Sequence, residues 1–306
     1  MSLKFLRSLI LALRPNQWVK NLILYAAIVL TGELFNFPLF LKSSFGFLIF
    51  CALSSASYLF NDLRDLPFDR LHPIKKNRPL ASGLVSPSLA ALTIILLAFF
   101  GLASALFFGF GFFLICLSFF LLHLLYSTIF KKYAIFDILS ISASFFLRAL
   151  AGEVLTGFHI PFWMMLTIAF LSLFIASCKR HSELLSTGGA TRPTLFSYQE
   201  KLLHFYTSTF ATATLLTYAL FTFFAEPFSF SKPFSEILSF AIPAAPSRKW
   251  LMLTLPFVIL GIMRYAQLTY EEKGGEEPEK VVTRDKLLLS SILSWGLMVI
   301  LIIYLL

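Results

Sequence analysis

The sequence predicts an all-α integral membrane protein of about nine transmembrane helices. Composition is the first observation behind this: of 306 residues, 58% are hydrophobic, 13% are charged and 37 are Phe, with a mean hydropathy of +0.82. A soluble domain keeps far more polar surface. The second is that the apolar residues gather in runs of membrane length, not in the short alternating segments of a membrane barrel. The third is that the basic residues fall on alternate connections between those runs.

A helix crosses a ~30 Å hydrocarbon core with about 20 apolar residues. Such runs lie near 17–35, 43–63, 87–107, 110–130, 135–156, 160–179, 205–225, 250–269 and 287–306. The third and fourth are separated only by the Phe/Gly turn "FFGFGFF" at 107–113. The first run lacks the small-residue cleavage site of a signal peptide and leads straight into further spans. No polar stretch is long enough for a separate soluble domain, so residues 1–306 are expected to form a single transmembrane catalytic domain.

Charge placement sets the orientation. One side receives Lys4, Arg7, Arg14 and Lys20, then Arg64, Arg70, Lys75, Lys76 and Arg78, then Lys131 and Lys132. Lys179, Arg180, Arg192 and Lys201 follow there, as do Arg264, Lys273, Lys280, Arg284 and Lys286. The other side has only Lys42, Lys232, Arg248 and Lys249. Positive charge marks the cytoplasmic side, so the N-terminus is expected inside an inner (cytoplasmic) membrane, with the C-terminus outside. The formal net charge of +9 is thus explained by topology, and no nucleic-acid partner is expected. The long polar connections 64–86, 180–204 and 270–286 all fall on the cytoplasmic side, where the chemistry is expected. Cys51, Cys116 and Cys178 lie far apart without metal-ligand spacing and read as small hydrophobes.

The chemistry concentrates in "FNDLRDLPFDRLHPIKKNRPLASG", residues 60–83. Asp62, Asp65 and Asp69 stand at i, i+3 and i+7, one face of a helix. Pro67 is expected to end or kink that helix, so that Asp69 reaches the site from the following loop. Three close carboxylates repel one another, and a divalent cation relieves the repulsion. Oxygen-only ligands suit Mg²⁺, which joins carboxylates to the phosphate oxygens of a substrate. Asn61 is a supporting polar ligand, and Lys75, Lys76 and Arg78 supply positive charge for further phosphate oxygens. The alternative is that acids and bases merely neutralise each other in a solvated loop. Against it, the triplet begins inside an apolar run, where ionisable residues are costly and commonly functional.

The pattern N-D-x-x-D-x-x-x-D-x-x-H-P-x-K-x-x-R-P-x-A-x-G resembles the first Asp-rich motif of the UbiA superfamily of intramembrane prenyltransferases. "RPNQWVKN" (14–21) and "LYSTIFKKYAIFDILSISASFFLRALAG" (125–152) extend the resemblance along most of the chain. It implies helices around a central cavity open to lipid, with a diphosphate held by Mg²⁺ on the cytoplasmic side. Tyr126 and Lys131 match positions that contact the diphosphate in that superfamily; an interfacial Tyr anchor with topogenic Lys131 and Lys132 is the competing reading. Lys20 and Asn21 either line the cavity or, with Trp18, form an interface belt. Arg148 lies inside a span and is expected to face the cavity, while Asp137 is expected to orient a partner. Glu153 and His159 belong near the outer face, away from chemistry.

One departure is informative. Most of the superfamily carries a second Asp-rich motif, where this chain reads "SCKRHSELL" (177–185). With "RYAQ" (264–267) and "GGEEPEKVVTRDK" (274–286), that stretch resembles one branch, the decaprenyl-phosphate phosphoribosyltransferases. The resemblance implies phosphoribosyl diphosphate as donor, a polyprenyl phosphate as acceptor and a product feeding cell-envelope glycans. Lys179 and Arg180 in place of acids suit several phosphates in one cavity, and Glu183 could take a ribose hydroxyl. The competing reading is that Lys179 and Arg180 only set topology, beside His181 at a water-exposed helix end. The rival readings are a prenyltransferase acting on an aromatic acceptor, disfavoured by the missing second Asp motif, and a transporter of phosphorylated lipid or solute. A homo-oligomer in the bilayer is compatible with all three.

Overall fold

In a computed structural model of the chain, residues 3–71, 75–187, 199–225, 249–270 and 278–304 are described. His72 of the acidic motif, the basic residues Arg192, Lys232, Arg248 and Lys273, and residues 274–277 of the last polar connection lie outside them. Every regular element among the described residues is helical. The order is α1 Leu3–Ala12, a 3₁₀ helix Pro15–Tyr25, α2 Ala26–Leu30, α3 Phe37–Leu71, α4 Pro87–Leu106, α5 Phe110–Thr128 and α6 Ala134–Thr156. Then come α7 Phe162–Thr187, α8 Glu200–Phe224, α9 Leu255–Tyr270 (entered through a 3₁₀ turn Trp250–Thr254), α10 Pro278–Arg284 and α11 Lys286–Tyr304.

Eight helices among the described residues are long and apolar enough to cross a membrane, and the protein is a multi-pass membrane protein. They correspond to eight of the nine expected spans. The first expected span is built differently, from the 3₁₀ helix and α2. At ~2 Å rise per 3₁₀ residue and 1.5 Å per α residue, those two pieces still extend about 30 Å. The expected turn at 107–113 is present: α4 stops at Leu106 and Gly109 takes φ 110°, a left-handed conformation that suits glycine.

The chain divides into two compact units, residues 1–28 with 34–158 and residues 29–33 with 159–306. In the first unit the 3₁₀ helix packs against α3 and α6. Its three-residue period puts Trp18, Asn21 and Leu24 in one row. Trp18 Nε1 donates to Ser55 Oγ at 3.0 Å, Asn21 Nδ2 to Cys51 Sγ at 3.3 Å, and Leu24 covers Gly46. Three 3₁₀ residues and four α residues both rise about 6 Å, which matches Trp18 and Asn21 to Ser55 and Cys51. On the other side, a Cβ on Gly152 of α6 would lie 2.2 Å from the Leu24 carbonyl oxygen, so only glycine permits this approach. Phe50, Phe112 and Phe119 fill the core beside this contact, with the Phe50 and Phe119 rings 4.8 Å apart.

In the second unit α7 packs along α8, and α9 packs against α11. Phe174, Cys178, Ile262, Tyr265 and Leu288 form its core. A polar thread crosses it: Trp295 Nε1 donates to the Tyr218 hydroxyl at 2.6 Å, and that hydroxyl lies 2.5 Å from Thr254 Oγ1. Asp285 starts α11 by accepting the Leu288 N–H at 2.8 Å. All three cysteines are buried free thiols, as hydrophobes in spans should be.

Candidate active site

Helix α3 continues through Pro67 to Leu71, so Asp62, Asp65 and Asp69 all project from one helix. The expectation that Pro67 would move Asp69 into a loop is therefore corrected. Proline removes one backbone hydrogen bond, and a side-chain bridge spans the weak point: Arg78 Nη1 lies 3.0 Å from Asp62 Oδ1 and 2.6 Å from Asp69 Oδ2. Arg78 comes from the segment after α3, two helical turns of which it fastens from outside.

Each carboxylate has its own cation. Arg14, before the 3₁₀ helix, places Nη2 2.5 Å from Asp62 Oδ1, and its guanidinium lies over the Tyr58 ring. Lys131, just beyond α5, places Nζ 2.5 Å from Asp65 Oδ1 and 3.3 Å from Asn61 Oδ1. Asn61 closes this subset by donating to Asp65 Oδ2 at 3.0 Å. Asp62 and Asp69 are both 4% exposed. Three acids and three bases thus balance at one end of α3. The arginines contact only Oδ1 of Asp62 and only Oδ2 of Asp69, leaving an oxygen of each outside these pairs. Hard oxygen donors in a row suit a divalent cation of the Mg²⁺ class.

Tyr126 and Asp137 are brought together, the Tyr126 hydroxyl donating to Asp137 Oδ1 at 3.0 Å. Asp137, on the first turn of α6, thus holds a phenol at the end of α5. Lys75 sits in a short 3₁₀ turn, Lys75–Asn77, between α3 and Arg78. Lys20 Nζ donates to Gln17 Oε1 at 2.6 Å, in the same row turn as Trp18.

Arg148 is 1% exposed. Its Nε donates to Asn21 Oδ1 at 2.7 Å and its Nη1 to the Ser144 carbonyl at 3.0 Å and to the Ser144 hydroxyl. The guanidinium also rests 4.6 Å from the Phe119 ring centroid. Neutral oxygens and aromatic faces therefore surround this cation. It locks the 3₁₀ helix to α6.

The second unit holds the remaining sequence candidates. Lys179 and Arg180 lie on α7; Arg180 is 1% exposed and pairs through Nη1 with Glu183 Oε2, one turn along the same helix. Arg264 forks onto Asp285, with Nη2 2.6 Å from Oδ2 and Nε 3.2 Å from Oδ1. That pair joins the two later motif segments, "RYAQ" and the end of "GGEEPEKVVTRDK". The Arg264 guanidinium and the Leu288 N–H hold the Asp285 carboxyl below the usual carboxylate range.

Sequence reasoning missed Arg14 as a site residue, assigning it only to topology. The signal was its place at the start of "RPNQWVKN", ahead of a proline that fixes where the chain turns. His181, which the purely topological reading of Lys179 and Arg180 would put at a water-exposed helix end, is fully buried.

Residues 22–292 match the UbiA prenyltransferase family. The chain is 34% identical over 304 residues to a decaprenyl-phosphate phosphoribosyltransferase of Corynebacterium glutamicum, covering 97% of this chain and 86% of that one. It is also 34% identical over 294 residues to the protein of that name from Mycobacterium tuberculosis, covering 93% and 90%. Among solved structures, a UbiA homolog from Archaeoglobus fulgidus bound to GPP and Mg²⁺ superposes with a TM-score of 0.69 at 21% identity, over 97% of this chain and 99% of that one. The fold is shared with that homolog; on the family match and the relatives at 34% identity, the chain belongs to the UbiA prenyltransferase family.

Proposed function

We propose that the protein transfers 5-phosphoribose from phosphoribosyl diphosphate to a polyprenyl (decaprenyl-type) phosphate, releasing diphosphate, with residues 1–306 working as one transmembrane catalytic domain. The observation that carries the reading is the row Asp62–Asp65–Asp69, balanced by Arg14, Arg78 and Lys131. Such a row holds carboxylates ready for a metal and cations ready for phosphate oxygens. The donor follows from the phosphoribosyltransferase relatives and from Lys179 and Arg180 where an acidic motif would otherwise stand.

In this reading Asp62, Asp65 and Asp69 would hold Mg²⁺, whose charge would offset that of the leaving diphosphate. Arg14, Arg78 and Lys131 exchange their carboxylate partners for phosphate oxygens when the donor enters. Tyr126, fixed by Asp137, and Lys75 add donors to the diphosphate, while Lys179 and Arg180 hold phosphate and Glu183 a ribose hydroxyl. Lys20 and Asn21 lie on the 3₁₀ helix, with Asn21 and Arg148 stiffening it. The bond from C1 of the ribose to the diphosphate oxygen breaks, and an oxygen of the lipid phosphate forms a new bond to C1. That phosphate is already an anion at neutral pH, so no strong general base is needed.

The test is a paired assay. Purified protein with Mg²⁺ receives labelled phosphoribosyl diphosphate plus polyprenyl phosphate, and in a separate reaction a prenyl diphosphate plus 4-hydroxybenzoate. Label in lipid only in the first supports the proposal; product only in the second replaces it with aromatic prenylation. The same reading puts the carboxylate row at the cytoplasmic face of an inner membrane. A cysteine introduced at position 76 should then resist impermeant reagent in intact cells, and ready labelling there would reverse the orientation.

A further inference from the structure

The second unit contains a cluster that none of the chemistry above uses. His181 on α7 and Glu200 and His204 on α8 bring one ligand atom each to within 4.8 Å of one another. His181 Nε2 lies 3.9 Å from Glu200 Oε1, and His204 Nε2 lies 3.6 Å from the same oxygen. Ligands about 2.0–2.1 Å from a tetrahedral zinc ion sit about 3.4 Å from each other. Two edges of the triangle are therefore already near the length that a bound ion requires.

Burial supplies a second, independent observation. His181 is 0% exposed, and among the described residues neither of its ring nitrogens makes a hydrogen bond. Buried polar atoms without a partner are uncommon and call for an explanation. Glu200 and His204, one helical turn apart on α8, are exposed, so the unpartnered imidazole is reached from the surface through the other two ligands. Tyr270 of α9 packs against both imidazoles, its ring 4.3 Å from that of His181 and 4.8 Å from that of His204. The imidazole planes are thus set by packing before any ion arrives, which lowers the ordering cost of binding.

We propose that His181, Glu200 and His204 bind a transition-metal ion of the zinc class, joining the end of α7 to the start of α8. Two imidazoles and one carboxylate select borderline ions such as Zn²⁺ and Co²⁺ over Mg²⁺, which prefers oxygen alone. The site is chemically distinct from the carboxylate row on α3. Three protein ligands leave a fourth tetrahedral position for water, and the ion would add a cross-link to two helices that already pack along each other.

Cobalt is the probe. The full chain, purified in detergent without a polyhistidine tag and stripped with EDTA, is titrated with Co²⁺ and followed by its visible absorption. With millimolar Mg²⁺ present to occupy the carboxylate row, the expected result is one Co²⁺ per chain, displaced by equimolar Zn²⁺. His204→Ala and Glu200→Gln should each weaken binding at least 10-fold. Both side chains are exposed, so these variants should unfold at the wild-type temperature without metal. Zn²⁺ should raise the unfolding temperature of the wild type alone. Absence of stoichiometric Co²⁺ binding would overturn the proposal and leave a polar cluster only. Equal affinity in both variants would overturn it too, because the ion would then sit elsewhere.

Discussion

Arg14 Nη2 stands 2.5 Å from Asp62 Oδ1, tying the residue before the first span to the third helix. The pair is sheltered, with side-chain exposures of 26% and 5%. If the arginine passes to phosphate when substrate enters, its loss should fall on turnover of phosphorylated substrate. Arg14→Gln should lower kcat/KM about 10- to 150-fold, the equivalent of ~1.5–3 kcal/mol for a charge-assisted contact. Asp62→Asn combined with Arg14→Gln should cost less than the sum of the two singly, and strict additivity would disconnect the residues.

Asp62→Asn and Asp65→Asn should each reduce turnover ~10²-fold or more at saturating Mg²⁺, with the fold retained. Asp69→Asn should do the same, because Asp69 lies on the helix beside the other two. Rates near wild type in all three, measured on correctly inserted protein, would remove the metal assignment.

Lys179→Ala and Arg180→Ala should separate. Arg180 is buried and paired with Glu183, so its removal leaves a sheltered carboxylate without its cation and should lower the unfolding temperature as well as donor affinity. Arg180→Ala with Glu183→Gln should recover stability but not affinity. Lys179→Ala should raise KM for phosphoribosyl diphosphate with the unfolding temperature unchanged. Donor titrations that match wild type for both residues would return them to a topological role.

The Arg264–Asp285 pair predicts a pH dependence. The Asp285 carboxyl is held low by Arg264 and the Leu288 N–H. A carboxyl with a depressed folded value contributes stability above its unfolded value of ~3.9 and loses it as pH falls through the lower one. The difference in unfolding temperature between wild type and Arg264→Gln should be constant from pH 7 to 5 and shrink below about pH 4. A difference that grows on acidification would assign the shift to another group.

Gly152→Val should destabilise the first unit severely, since a Cβ there meets the Leu24 carbonyl at 2.2 Å, backbone that cannot rotate aside. Gly296→Ala, where nothing lies within 4 Å of an added Cβ, is the control and should leave the unfolding temperature nearly unaltered.

Much of this was legible in the chain. Apolar run length placed eight spans, and the spacing of Asp62, Asp65 and Asp69 put them on one face. Both are local properties, carried by neighbours in sequence. The rest depended on contacts between distant segments. Arg14 reaches Asp62 across 48 residues and Lys131 reaches Asp65 across 66, distances that no local pattern encodes. Pro67 misled because its local rule ignores a bridge from Arg78. No local pattern shows that Tyr270 packs on His181.

The 3₁₀ helix Pro15–Tyr25 has a mechanical consequence. At ~2.0 Å per residue its 11 residues are about 5 Å longer than the same residues in an α-helix. It is held at that length from both ends: Arg14 is anchored on Asp62, and the Leu24 carbonyl is wedged against Gly152. Between those ends Ser55 holds Trp18 and Arg148 holds Asn21. The reach of the first span is therefore fixed jointly by α3 and α6, and loss of either helix's contacts would shorten it.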